Sequence, residues 1–213
     1  MSDGYEVYNQ IAQANQLVHL ACWTHCRRYF IEALDALPKG ARTPEHPAAQ
    51  VIALIAQLYA VESRAKDLQM SAQQRLHERQ QFSVGVLERI EQLTVQHLHA
   101  VVPASLLGKA LHYLSAQWSK LVLFVNDGSY PIDNNACENS IRPFVVGRRN
   151  WLFCDSVAGA NASANLYSLL QTCKANGVDS YRYLKALLTA LPLAQTADDY
   201  EALLPWNIKL PAE

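Results

Sequence analysis

Eighty residues in the middle of the chain, from Pro47 to Asn126, keep apolar side chains at helical spacing. A polypeptide that does this for so long must build a helical bundle or hairpin to bury the stripe. The breaks near Gln69-Met70-Ser71 and at Pro103 divide the run into helices over about 47–68, 71–100 and 104–124. Upstream, Tyr5, Tyr8, Ile11 and Ala12 mark a short helix over 5–15. The β-favouring run Leu17-Val18-His19-Leu20-Ala21-Cys22 follows and predicts a buried strand. Trp23–Leu37 returns to a helical period that Pro38-Lys39-Gly40 ends, and 39–47 reads as a loop. Downstream, Asn126-Asp127-Gly128-Ser129-Tyr130-Pro131 is turn chemistry. Asp133 or Asn134 then caps a short helix that carries Glu138 and that Pro143 interrupts. Val157–Asn176 is a further helix with Gly177 as its left-handed stop. Asp179 caps the next, Ser180 to about Leu191, and 192–213 is expected to lie over the surface.

With 213 residues, half of them hydrophobic, the chain can bury a sizeable core. Its net charge of -1 supplies no global field for nucleic acid, so any DNA contact must come from local patches. The opening residues carry no secretory signal pattern, and the apolar run Leu121–Val125 is too short to span a bilayer. The expectation is a cytoplasmic protein with no membrane partner. Five cysteines, Cys22, Cys26, Cys137, Cys154 and Cys173, suit reduced thiols that pack rather than a disulfide framework.

Three polar segments lie beside strongly apolar ones: Ser2-Asp3-Gly4-Tyr5, Cys22-Trp23-Thr24-His25, and Asp133-Asn134-Asn135-Ala136-Cys137-Glu138-Asn139-Ser140-Ile141-Arg142-Pro143. Asp3 stands where an α/β protein ends a strand with a catalytic carboxylate, but Asp-Gly is also a common turn dipeptide. Cys22 and His25, with Cys26, have half the spacing of a zinc site and no second half. Glu138 and Arg142 are one turn apart, either as functional groups or as a plain surface ion pair, with Ile141 facing the core. Gly147-Arg148-Arg149-Asn150-Trp151 suits phosphate contact and base stacking and equally suits a solvated loop.

Taken together, DGYEVY at Asp3–Tyr8, CWTHCRRYF at Cys22–Phe30, DNNACENSIRPFVVGRRNWLF at Asp133–Phe153, SLLQTCKANG at Ser168–Gly177 and DSYRYLKALLTALP at Asp179–Pro192 resemble the insertion sequence 66 family of bacterial DDE transposases. The resemblance covers most of the chain in order, and its DNN-x-x-EN-x-IRP and GRRNWLF block is the most specific part. It implies a mainly α fold with a remnant of an RNase H-like α/β catalytic core of few strands, interrupted by a helical insertion. The segments implied are 1–38 (core, first part), 39–127 (helical insertion), 128–178 (core, second part, with the glutamate helix) and 179–213 (C-terminal helices).

By position, Asp3 matches the family's second metal-binding aspartate and Glu138 its glutamate. Cys22 and His25 resemble a C-x-x-H signature, and Asn134, Asn135 and Arg142 support the glutamate. Arg148, Arg149 and Trp151 fall where DNA contact is expected. The implied cofactor is Mg²⁺ or Mn²⁺, since two metal ions about 3.5–4 Å apart activate the attacking oxygen and stabilise the leaving one. The implied partners are transposon-end and target DNA, with homo-oligomers or full-length transposase as protein partners, near the bacterial nucleoid. Only Met1 and Ser2 precede Asp3. The expectation is therefore a truncated fragment lacking the first aspartate, the opening strands and the DNA-recognition region, and inactive by itself. A regulatory protein acting by association and a non-enzymatic helical DNA-binding module are the alternatives.

Overall fold

The structure, a computed structural model, describes residues 1–152 and 154–210; Phe153, the last residue of the third motif, and 211–213 lie outside the described residues. The chain forms two compact units, Met1–Ala136 and Cys137–Glu213.

In the first unit the elements are α1 (Val7–Ala14), α2 (Trp23–Asp35), α3 (Pro47–Asp67), α4 (Ala72–Glu78), α5 (Val84–Leu98) and α6 (Leu106–Leu121). The middle run thus folds as its periodicity predicts, and its ends are fixed by local chemistry. His46 Nδ1 accepts from the Ala48 N–H at 3.2 Å with Pro47 opening α3. Ser71 and Gln74 form a reciprocal capping box at α4. Ser105 Oγ accepts from the Gly108 N–H at 3.0 Å at α6.

Helices α2, α3, α5 and α6 pack on one another. Trp23, Cys26, Phe30 and Ala33 of α2, Val51, Ile55 and Leu58 of α3, Leu87 and Ile90 of α5, and Leu111 and Leu114 of α6 share one buried core. The side chains meet because each set recurs at three- and four-residue spacing. Residues 1–38 and 39–127, distinct segments by resemblance, are joined by this core. Burial of side chains of this size contributes about 1.5–3 kcal/mol each. The Trp23 indole also donates to the Leu121 carbonyl at 2.9 Å, so its polar edge is satisfied inside.

A π-helical turn, Arg79–Ser83, joins α4 to α5. Arg79, fully buried, makes a forked pair with Glu62 at 2.7 and 2.8 Å. It also donates to the carbonyls of Phe124 and Asp127 at 2.7 Å each. Its guanidinium stacks 5.1 Å from the Phe124 ring centre. One cation therefore holds α3, the π turn and the segment after α6.

The strand expected at Leu17–Cys22 does not form. Among the described residues the β structure is a single parallel bridge, Ser2 with Ala21. A strand persists only if extended backbone lines its edge. Here the Ser2 N–H reaches the Leu20 carbonyl at 3.1 Å, while the Ala21 N–H is taken by the Lys120 carbonyl at the end of α6, 3.3 Å away. With a helix end in the neighbouring position the run stays extended but unladdered, and Leu17 and Val18 are exposed. The fold is mainly α.

The second unit contains most of α7 (Asn135–Trp151), with α8 (Val157–Ala175), α9 (Ser180–Ala190) and α10 (Ala197–Ala202). Pro143 does not interrupt α7; it sits inside the helix, which runs on through the Arg148-Arg149 pair. Proline removes the bond to the carbonyl four residues back and its ring crowds that carbonyl, a cost of about 3 kcal/mol that the intact turns on either side offset. Ile141 is exposed rather than core-facing, and α7 buries no residue fully. The small core of this unit is Cys173, Tyr183 and Leu187, with Leu203 and Ile208 against it. Part of 192–213 is thus packed and not merely draped, and the Tyr183 hydroxyl donates to the Leu203 carbonyl at 3.0 Å. Gly177 ends α8 at φ +67° and the Asp179 carboxylate caps α9 through the Arg182 N–H at 2.7 Å, as the sequence predicts. No helix among the described residues is long and apolar enough to cross a membrane.

Candidate functional site

The start of α2 and the start of α7, more than a hundred residues apart in sequence, meet around one carboxylate. Asp133 Oδ2 accepts from the Tyr59 hydroxyl at 2.9 Å, the Thr24 hydroxyl at 3.2 Å and the Asn135 side-chain amide at 2.8 Å. Its Oδ1 accepts from the Asn135 backbone N–H at 3.1 Å, an Asx turn that leads into α7. The Thr24 and Tyr59 hydroxyls lie 2.8 Å apart, so their two protons serve three contacts and Thr24 donates either to Tyr59 or to Asp133; the Trp23 backbone N–H donates to the Ile132 carbonyl at 3.2 Å. Helices α2 and α3 are thereby tied to the first residue of the helix that carries Glu138.

Burial raises the Tyr59 hydroxyl pKa, with the bonds to Thr24 and the charge of Asp133 as smaller influences, so it stays a donor. Cys22 is fully buried at the N-cap position of α2. Burial raises its thiol pKa, and the nearby backbone N–H groups of Asn134, His25 and Thr24 oppose part of the rise. His25 is half-buried in the first turn of α2. Cys26 lies in the hydrophobic core, where burial likewise raises its pKa. Both thiols are fully buried, as packing groups are. Asn134 is half-buried, its Oδ1 is sealed from solvent without a hydrogen-bond partner, and Asn135 is spent on Asp133 and Thr24.

Sequence reasoning singled out Asp133 only as a cap and missed Tyr59. The available signal was an aromatic hydroxyl in an otherwise apolar helical stripe, which needs a partner once buried.

Asp3 is exposed and forms the turn its neighbour Gly4 allows. Its Oδ1 accepts from the Tyr5 N–H at 3.1 Å, Gly4 has φ +96°, and the Tyr113 hydroxyl donates to the Asp3 carbonyl at 2.7 Å. Glu138 is half-buried in the first turn of α7, where the helix dipole favours a carboxylate. Arg142 and Arg149 follow it at +4 and +11, on the same helical side, and both are exposed. Arg148 is exposed as well. Trp151 packs against Phe144 and Tyr167, with ring centres 6.1 and 5.8 Å apart. It approaches the helix backbone at Gly147, where an added Cβ would come within 2.5 Å of the indole.

Asp133 has both oxygens engaged by donors and is not available to a divalent cation. Among the described residues no group of three or more His, Cys, Asp or Glu side chains is placed to hold a metal ion. These residues therefore do not make a complete carboxylate metal centre by themselves.

Compared with known proteins, residues 1–162 match the family described as Transposase IS66 family, and residues 168–206 match the IS66 C-terminal element. The uncharacterized protein y4qI of Sinorhizobium fredii (strain NBRC 101917 / NGR234) is 34% identical over 97% of this chain and 38% of its own length. Two further uncharacterized proteins of that strain, y4jD and y4hP, are each 29% identical, over 97% and 98% of this chain and 40% and 39% of their own lengths. The chain thus spans about two-fifths of the length of the curated relatives it matches. No solved structure matches it significantly.

Proposed function

The chain belongs to the IS66 transposase family, and on that premise we propose that it is the part of a DNA-transposing enzyme that supplies two carboxylates, Asp3 and Glu138, to a divalent-metal phosphoryl-transfer site. The observation that carries this reading is the Asp133 cluster. It fastens the CWTH segment of α2 and Tyr59 of α3 to the first residue of the helix that presents Glu138. A catalytic carboxylate must be held within a fraction of an ångström of its working position, and rigid elements with satisfied polar neighbours do this. In this reading Asn134 and Asn135 set the start of α7.

Mg²⁺ or Mn²⁺ would supply the charge that activates and stabilises the reacting oxygens, its remaining ligands coming from the rest of an RNase H-like core of the longer protein. Arg142, Arg148 and Arg149 would steady phosphates of the transposon end, because guanidinium forks match phosphate oxygens. Since two carboxylates do not complete a two-metal site, the chain alone is expected to show no strand cleavage.

The test is Mn²⁺-dependent nicking of DNA carrying the element's ends by a protein of the relatives' full length. Glu138→Gln should abolish nicking, a loss of at least about 10³-fold, while leaving the circular dichroism spectrum unchanged. Full activity of the Glu138→Gln protein would remove the assignment.

A further inference from the structure

Helices α7 and α8 of the second unit border a partly open seam of about 250 Å³ lined by Ile141, Phe144, Tyr167, Ser168 and Gln171. It is smaller than the roughly 300–1,000 Å³ of sites for drug-sized ligands, so it suits one flat group. Its chemistry is mixed in a particular way. The Phe144 and Tyr167 rings meet edge to face, with centres 5.2 Å apart and planes at 84°, and both line the seam. Trp151, two turns along α7 from Phe144, braces both rings. The Ser168 hydroxyl spends its proton on the Ala164 carbonyl at 2.8 Å and keeps lone pairs to accept with, while the Gln171 amide can both donate and accept.

The surrounding charge is not that of the chain as a whole. From Asn135 to Ala175 there are four cations, Arg142, Arg148, Arg149 and Lys174, against two carboxylates, Glu138 and Asp155, in a chain of net charge -1. Arg148 follows Phe144 by four residues, one turn along the same side of α7.

We propose that this seam holds a single unpaired base of a DNA strand, stacked on the Phe144–Tyr167 pair, with Ser168 and Gln171 at its hydrogen-bonding edge and Arg148 on an adjoining phosphate. The inference rests on the reading of the chain as part of a DNA-transposing enzyme and adds what it binds there. Stacking on an aromatic surface tolerates any base because every base has a flat π face, whereas an amide beside it discriminates by pattern. The seam opens one turn beyond Glu138 on α7, so a base held here would keep a neighbouring phosphate near the helix that carries the carboxylate.

The experiment compares two fluorescent twelve-residue probes with the whole chain by anisotropy: oligothymidylate, and an abasic strand of the same length and charge. Oligothymidylate should bind roughly ten-fold tighter at equal salt, the scale of one base–aromatic stack. Phe144→Leu and Tyr167→Leu, which keep apolar bulk without a ring face, should bring the two probes to the same affinity. Arg148→Gln should weaken both probes equally and flatten the salt dependence. Gln171→Leu, outside the Cys173–Tyr183–Leu187 core, should leave the abasic probe unchanged and alter the ratio between oligothymidylate and oligodeoxycytidylate.

Equal affinity of the wild-type chain for the base-bearing and abasic strands would overturn the seam as a base site while leaving backbone binding intact. No binding of either probe would overturn it too. Neither result bears on the Glu138→Gln nicking test, so the failure of this proposal and of the enzymatic reading are separable.

Discussion

Removing the Tyr59 hydroxyl from the Asp133 cluster should have a measurable and non-additive effect. In the folded protein the hydroxyl donates to Asp133 Oδ2 at 2.9 Å and shares a bond with Thr24 at 2.8 Å. A hydrogen bond to a charged group contributes about 1.5–3 kcal/mol, and the half-buried setting argues for the lower end, so Tyr59→Phe should cost about 1.5 kcal/mol. In an Asp133→Asn background the acceptor is neutral, and one amide face turns a donor toward the Asn135 N–H. There the same Tyr59→Phe change should cost only about 0.5 kcal/mol. The coupling of about 1 kcal/mol is read from urea midpoints of the four proteins in a double-mutant cycle. Hydrogen exchange should place the loss at the opening of α7, with the Asn139–Arg142 amides, which follow the helix's unbonded first-turn N–H groups, exchanging faster in both single variants. Additivity within about 0.3 kcal/mol, with unchanged exchange there, would refute the idea that this cluster holds the Glu138 helix.

Other outcomes follow from the same geometry. Arg79→Met should destabilise the first unit by about 3–5 kcal/mol, because Glu62 and two carbonyls lose a buried cation; calorimetry showing less than about 1 kcal/mol would contradict the clasp. At Gly128 an added Cβ would lie 1.8 Å from the Ala72 carbonyl oxygen, a backbone atom that cannot swing away, so Gly128→Ala should cost about 2–3 kcal/mol in thermal unfolding. The His19 imidazole is held below its ordinary pKa chiefly by burial, then by Lys120, while its ring Nε2 bonds Ser2 Oγ at 2.7 Å. A depressed folded pKa means that the fold prefers the neutral ring. The His19 contribution is thus present above pH of about 6.5 and lost as pH falls through the folded value. An NMR titration of His19 with a midpoint at or above the free imidazole value would reverse that sign.

Much of the helical structure was legible along the chain. The three- and four-residue spacing of Val51, Ile55, Leu58, Leu87, Ile90, Leu111 and Leu114 dictates helices that share a core, and Ser71, Ser105, Asp179 and Gly177 mark where helices begin and end. These signals are local, because periodicity and caps involve residues within one or two turns of each other. The motif strings that mark the family are equally a property of the sequence alone.

What the sequence could not decide is which partner each polar or extended segment finds. Leu17–Cys22 has the composition of a strand, yet the atom facing its edge is the Lys120 carbonyl from a helix end, and pairing is a property of the neighbour. Pro143 reads as a break, but a helix with flanking turns intact tolerates one missing N–H, so the arginines that look like a loop patch ride on α7. Tyr59 and Arg79 look unremarkable in one dimension, and Asp133 reads there as a cap. Only tertiary packing, which brings residues 24, 59 and 133 within hydrogen-bond reach and closes water away from residue 79, turns them into the fastenings of the molecule. Helix content is written in short-range spacing, whereas the identity of the anchoring residues depends on contacts across tens of residues that no local pattern encodes.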